Sequence, residues 1–250
     1  MFILPIIMQN MNKHLKSILN FFLPHTCTLC GSTKNCTDVD LCDFCKQELP
    51  LRQHMCLKCG NQLQNPGNLF STEKIICGNC LKCPPLFSKL FAFYSYQNSI
   101  AYLITKLKFQ QKLIYANLLG TLMAEHLSLQ YQKQPLPEII IPIPLHKRRL
   151  RERGFNQALE IAKPISKKLR IKIDKYAYTR SKNTERQSLL AIKEREQNIK
   201  QAFTINTKRN YKYVAIIDDV YTTGNTVNEF CKILKKSGIE KIDVWCIAKA

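Results

Sequence analysis

Two neighbouring acids, Asp218 and Asp219, end the apolar run Val214-Ala-Ile-Ile217, and the small residues Thr222, Thr223, Gly224, Asn225 and Thr226 follow almost at once. The apolar run reads as a buried strand from Tyr213 to Ile217 and Val227–Lys236 as a helix, so the acids and the loop stand at a strand-to-helix turn. Such a turn offers backbone N–H groups, threonine hydroxyls and a helix N-terminus to one phosphate, with Gly224 permitting close approach. Two carboxylates beside it repel a second phosphate but accept hydrogen bonds from sugar hydroxyls. The guest these residue types fit is a ribose 5-phosphate, its hydroxyls on the acids and its phosphate in the loop. The same residues also suit a plain structural turn, an N-cap Asp followed by threonines.

A second chemistry lies toward the other end, where ten of the twelve cysteines precede residue 84. They include the C-x-x-C pairs Cys27/Cys30, Cys42/Cys45, Cys56/Cys59 and Cys77/Cys80. This spacing lets two thiolates reach one tetrahedral zinc from a single turn. The run Met1–Ile7 is too short to span a membrane and has no basic residues before it, so secretion is not expected. A disulfide framework is therefore disfavoured, and the expected location is cytoplasmic. Pairing neighbours gives Cys27/Cys30/Cys42/Cys45 and Cys56/Cys59/Cys77/Cys80, two closed Cys₄ sites whose Zn²⁺ serves folding. A crossed pairing, substitution by Cys36, Cys83, His25 or His54, and redox-active dithiols are the alternatives. Cys231 and Cys246 fall in helix and strand patterns and read as core.

The elements that must position these residues follow from periodicity. Residues 1–24 hold an amphipathic helix stopped by Pro24, and residues 25–88 form the cysteine-rich domain. From 89 to 250 the texture alternates strand and helix. Strands are expected over 91–96, 138–144, 173–178, 213–217 and 241–248, and helices over 98–109, 113–129, 156–169 and 227–236. Residues 180–202 are polar and read as a flap. Strand, helix, strand at this spacing makes a parallel crossover, so the body is α/β with a mainly parallel sheet flanked by helices. Ligands of such sheets bind beyond the carboxyl ends of the strands, where Asp218 and Asp219 stand.

Charge is concentrated. Residues 146–212 carry twenty Lys/Arg against six Asp/Glu, most of the formal +20 of the 250-residue chain. That favours a phosphate-bearing partner, nucleic acid or a phosphorylated metabolite, although a basic surface can also be merely soluble. With 45% hydrophobic and 22% charged residues the chain is globular rather than disordered. Neither G-x-G-x-x-G nor a P-loop occurs, which argues against dinucleotide and P-loop nucleotide binding.

The stretch "VAIIDDVYTTGNTV" resembles the phosphoribosyl pyrophosphate (PRPP) motif of type I phosphoribosyltransferases. With the C-x-x-C pairs ahead of it, the chain resembles the ComF/GntX family of competence-associated phosphoribosyltransferase-like proteins with an N-terminal double zinc ribbon. Tyr94-Ser-Tyr96, Leu107-Lys-Phe109, Ile141-Pro-Ile-Pro144, Arg153-Gly-Phe-Asn-Gln157 and Arg180 agree with it, as do Gln187, Arg195 and Asn198. The resemblance implies that Asp218 and Asp219 hold the ribose hydroxyls and that Thr222, Thr223, Gly224, Asn225 and Thr226 hold the 5-phosphate. It also implies that the loop after Ile143 faces the pyrophosphate with Mg²⁺, through Lys147, Arg149 and Arg153. Thr222 stands where purine-salvage relatives carry an acid, which disfavours hypoxanthine or guanine salvage. Two functions follow: phosphoribosyl transfer to an unidentified acceptor, or binding of single-stranded DNA among DNA-uptake proteins, with the PRPP site regulatory or vestigial.

Overall fold

The computed structural model describes residues 25–36, 40–63, 75–181, 202–207 and 209–250. The expected helix within residues 1–24 and most of the expected flap lie outside them. The chain forms two compact units, Met1–Leu49 and Pro50–Ala250. In the first, the short helix α1 (Asp43–Gln47) follows the second cysteine pair's leading residue, and Leu41 and Leu49 are buried.

The second unit opens with a cysteine-rich segment carrying helix α2 (Gly78–Lys82) and continues with β1 (Lys89–Ser95), α3 (Asn98–Gln110), α4 (Ile114–Gln130) and β2 (Ile139–Pro142). Then come α5 (Lys147–Arg153), α6 (Gln157–Leu169), β3 (Lys172–Ile173), β4 (Tyr178–Arg180), β5 (Phe203–Ile205), β6 (Tyr213–Tyr221), α7 (Asn225–Lys236) and β7 (Lys241–Lys249). Five strands form one sheet in the order β1-β7-β6-β2-β3, every pairing parallel, as the alternating pattern predicts. β4 and β5 pair antiparallel as a separate ribbon.

A fully parallel sheet must be covered on both faces, which is why its strands are apolar throughout. Residues Val214, Ile216, Val244 and Cys246 face a core closed by Phe230, Cys231 and Leu234 of α7 and by Tyr178 and Phe203 of the β4–β5 ribbon. On α7 the buried positions Val227, Phe230, Cys231 and Leu234 recur every three to four residues, one stripe of an amphipathic helix. Each such fully buried Phe or Leu contributes about 1.5–3 kcal/mol of apolar burial. Helices α4 and α6 contact the strands as well and pack closely on each other. Gly120 allows that approach, because a Cβ there would stand 2.4 Å from the Ile161 carbonyl oxygen and from Pro164 Cγ.

Three boundaries differ from the sequence reading, each for a physical reason. The strand expected over 173–178 breaks after Ile173, because the Asp174 carboxylate accepts the N–H groups of Tyr176 (3.0 Å) and Ala177 (3.1 Å) and turns the chain. β6 does not stop before the acids: β7 is long enough to pair on through Asp218↔Cys246, Val220↔Ala248 and Tyr221↔Lys249, while β2 ends at Pro142. Finally, the cysteine-rich residues from Pro50 onward belong to the same compact unit as the sheet, whereas the sequence suggested a division near residue 88. Backbone bonds explain this: Arg52 N–H donates to Phe93 O (2.8 Å), Leu90 N–H to Leu57 O (3.3 Å) and Ser95 N–H to Pro50 O (2.9 Å). The guanidinium of Arg52 adds a bond to Gly60 O at 2.6 Å.

Candidate functional site

The thiols gather as the spacing predicts. In the first unit Cys27, Cys30, Cys42 and Cys45 bring four Sγ atoms within 4.8 Å of one another, and in the second unit Cys56, Cys59, Cys77 and Cys80 do the same. Cys30 and Cys42 sulfurs are 3.7 Å apart, as are those of Cys59 and Cys77. A zinc ion at about 2.3 Å from each of four sulfurs spaces them roughly 3.8 Å apart, so both clusters fit tetrahedral Zn²⁺. Backbone groups already favour thiolate. Burial opposes ionisation of Cys27 and Cys56, yet N–H groups around each outweigh it and hold the two thiols down to about 6 and about 7. All four positions of each cluster are protein sulfurs, the pattern of a structural rather than a catalytic zinc. Cys36 and Cys83 stand outside the two clusters, and Cys231 and Cys246 are buried core.

The second candidate site is a cavity of about 580 Å³ at the carboxyl ends of β1, β6 and β2. Its floor is the acid pair. Asp218 is half-buried and Asp219 buried, and the Asp218 carboxylate accepts the N–H of Asp219 at 2.9 Å. Burial and the neighbouring Asp219 charge push the Asp218 pKa up to about 7. Asp219 is held differently: Lys108 Nζ of α3 lies 2.6 Å from its Oδ2. Burial works against the Lys108 charge, but Asp219 more than compensates and holds the ammonium above its ordinary pKa.

Behind the acids runs the loop. Gly224, at φ 78° and ψ 0°, is the N-cap of α7, so no side chain covers the first N–H groups of that helix. A small recess of about 30 Å³ is lined by Asp218, Thr222, Thr223, Gly224, Asn225 and Thr226. Only glycine fits position 224, since a Cβ would meet the Tyr221 hydroxyl at 2.2 Å. Tyr221 cannot give way easily, because it is buried and stacked edge-on against Phe87 at 6.3 Å.

Cations line the β2 side. Asn156 caps α6 through Ala158 N–H (3.0 Å) and donates to Ile143 O (3.1 Å), fixing the chain that leaves β2. Arg149 and Arg153 of α5 line the cavity, whereas Lys147 is exposed and lies outside its lining. Arg180 of β4 also lines it; burial and the nearby Arg149 charge lower its pKa to about 10. Gln157, the first residue of α6, is buried at the same cavity with its Oε1 lacking a partner among the described residues.

Lys108, Arg180 and Gln157 had no role assigned from sequence. Lys108 and Arg180 come from elements far along the chain from the acids, and the only signal for them was their place in segments that carried the family resemblance. Gln187, Arg195 and Asn198 lie outside the described residues.

Residues 18–81 match the double zinc ribbon domain family. Competence protein F of Haemophilus influenzae (strain ATCC 51907 / DSM 11121 / KW20 / Rd) is 35% identical over 240 residues, covering 93% of this chain and 100% of that protein. DNA utilization protein YhgH of Escherichia coli O6:H1 is 30% identical over 231 residues, 91% of this chain and 98% of that protein. Competence protein ComFC of Bacillus subtilis (strain 168) is 24% identical over 211 residues, 80% of each. A solved adenine phosphoribosyltransferase of Leishmania donovani matches 51% of this chain and 64% of that chain at 15% identity, with a TM-score of 0.26. With sequence similarity running along nearly its whole length, zinc ribbons included, the chain belongs to the family of competence protein F and DNA utilization protein YhgH.

Proposed function

We propose that this protein binds PRPP at the carboxyl end of β6 and acts as a phosphoribosyltransferase in DNA utilisation. The observation that carries the reading is the gathering of Asp218, Asp219, Thr222, Thr226, Arg149, Arg153 and Arg180 around one cavity. Each part matches a part of the ligand. The acids accept hydrogen bonds from the ribose hydroxyls; the loop from Thr222 to Thr226, with the N-terminus of α7, takes the 5-phosphate. The arginines take the pyrophosphate and stabilise charge as it departs, so positioning and electrostatics supply the catalysis. Lys108 holds the Asp219 carboxylate in place through their 2.6 Å ion pair. Mg²⁺ travels with pyrophosphate ligands and takes oxygen donors, one or two of them carboxylates, so Asp218 and Asp219 are the residues that would hold it, supplying further charge neutralisation.

The test is direct. Full-length, zinc-loaded protein should bind PRPP, and with a suitable acceptor release pyrophosphate. Both should be lost in the Asp218→Asn/Asp219→Asn double variant, and binding should also be lost in Gly224→Val. Unchanged PRPP affinity in these variants would end this reading.

A second reading, binding of single-stranded DNA, is favoured by α5, which buries none of its residues and exposes Lys147, Arg148 and Arg151 to solvent. Relatives named for competence and DNA utilisation support it. Affinity for an oligonucleotide that falls steeply with salt and survives the double Asp change would support this reading; no binding at moderate salt would remove it.

A further inference from the structure

Tyr221, the last residue of β6, borders two sites at once. Its hydroxyl fills the space beside Gly224, where a Cβ would stand 2.2 Å from the hydroxyl oxygen and 2.7 Å from Cζ. The phosphate loop therefore curls over this ring, and the ring sets where Gly224, the N-cap of α7, presents the first N–H groups of that helix. Tyr221 also lines a second cavity, of about 470 Å³. There it meets Cys59 and Cys80 of the second cysteine cluster, Pro85, and Asn228 and Lys232 of α7. All of these residues lie in the unit Pro50–Ala250.

The backbone of Tyr221 is fixed by the sheet: it pairs with Lys249, and its carbonyl accepts Ala250 N–H at 3.0 Å. Its ring is held by packing instead. Phe87, 2% exposed, meets it edge-on at 6.3 Å, and Lys249 Nζ lies 4.7 Å from the ring centre. Phe87 is anchored from both directions along the chain. After it, Ser88 N–H donates to Ile242 O at 2.7 Å. Before it, Pro84-Pro85-Leu86 leads back to Cys83 and to α2, which carries Cys80. Two prolines of fixed φ stiffen that link. At five residues α2 is too short to hold its own shape in water, so shared ligation of one zinc by Cys56, Cys59, Cys77 and Cys80 is what fixes it.

We infer that the second zinc site positions the phosphate loop through Phe87 and Tyr221, so that zinc at this cluster and a 5-phosphate in the loop bind cooperatively. This rests on the phosphoribosyl reading above, in that it takes the loop as the phosphate site. Tyr221 is a positioning residue. With zinc bound, Phe87 keeps the Tyr221 ring against Gly224, and the N–H groups of the loop and of α7 converge on one recess. Without zinc the ring is free to tilt into the adjoining cavity and Gly224 follows it, so a ligand must reorder the loop as it binds. Coupling between two sites is reciprocal: the factor by which zinc tightens the phosphate ligand is the factor by which that ligand tightens zinc.

Reciprocity supplies a test that a merely structural zinc would not meet. Equilibrium competition of the full-length, zinc-loaded protein against a chromophoric chelator is run with and without saturating ribose 5-phosphate. The sugar phosphate should tighten one of the two zinc ions by about fivefold or more, the lower end for coupled sites. Cys59→Ser removes the second cluster, and the ion it retains should not respond. Phe87→Leu keeps both clusters and breaks only the ring contact; it should hold two zinc ions and bind ribose 5-phosphate, with the coupling reduced below about twofold. Ribose 5-phosphate that binds the wild type without tightening any zinc overturns the inference and leaves the phosphoribosyl reading intact. A response that persists in Cys59→Ser, or full coupling in Phe87→Leu, overturns it as well, since the effect would then not run from this cluster through this contact. Failure of ribose 5-phosphate to bind the wild type would instead remove the phosphoribosyl reading, and this inference with it.

Discussion

Asp218 concentrates what the site asks of a single side chain. An acid with its pKa pushed up to about 7 by burial and by the Asp219 charge is neutral below that pH and ionised above it. The carboxylate is the better acceptor for a sugar hydroxyl, so ribose 5-phosphate should bind more tightly as pH rises through about 7. The phosphate's own second ionisation near pH 6 adds an earlier inflection. Titration calorimetry across this range should show both inflections in the wild type and only the earlier one in Asp218→Asn; an inflection near 7 that survives the substitution would belong to another group. The same residue bears on stability with a definite sign. Because its folded pKa stands above the ordinary 3.8, Asp218 binds its proton more tightly folded than unfolded, and the empty protein loses stability as pH rises between those values. Asp174 does the reverse. Burial resists its charge, but Arg209 and two backbone N–H groups outweigh that and depress its pKa, so its contribution is full above the ordinary 3.8 and fades as pH falls below it.

At the scale of elements, what sequence made legible was whatever depends on neighbours in the chain. The buried apolar run 214–217, the stripe on α7 and the gathering of the C-x-x-C pairs were legible because each carries its own local signal. Hidden were features set by distant partners: β6 running on to Tyr221 because β7 continues beside it, Lys108 closing on Asp219, and Tyr131 donating to the buried Asp243 at 2.6 Å. No periodicity reports such a meeting. The second cysteine cluster belongs here too, since its segment is bonded to β1 through Arg52 N–H to Phe93 O and Leu90 N–H to Leu57 O. β1 pairs in turn with β7, placing Phe91 opposite Trp245, the one tryptophan of the chain. Cys56→Ser should lower the zinc content by one ion and also lower the thermal transition reported by Trp245 fluorescence. A loss of about 2 kcal/mol in a unit of this size corresponds to roughly 4–8 °C. A transition that stays in place after that zinc is lost would show that the second ribbon is not integral to the sheet.

The whole molecule carries a formal +20, and its described ion pairs do little to offset it. Pairs such as Arg148–Glu152, Lys212–Glu240 and Lys232–Glu229 leave their cations in solvent, where water and salt screen the attraction. Repulsion therefore acts at two ranges: a diffuse term over the surface, and a focused term where Arg149 and Arg180 meet across the cavity and the latter's pKa falls to about 10. The two respond differently to ions. Raising sodium chloride from about 0.05 to about 0.5 M shortens the screening length from roughly 13 to 4 Å and should raise the melting temperature by relaxing the diffuse term. Pyrophosphate at equal ionic strength should raise it further, because an anion bound at a hundred times its dissociation constant adds about 2.7 kcal/mol to the folded state alone. Arg180→Gln should keep the chloride effect and lose most of the pyrophosphate increment. Melting curves followed by Trp245 fluorescence separate the cases. A melting temperature that falls with chloride would mean attractive pairs outweigh the net charge, and pyrophosphate acting no more strongly than chloride would mean the cavity arginines are ordinary surface charge rather than a binding site.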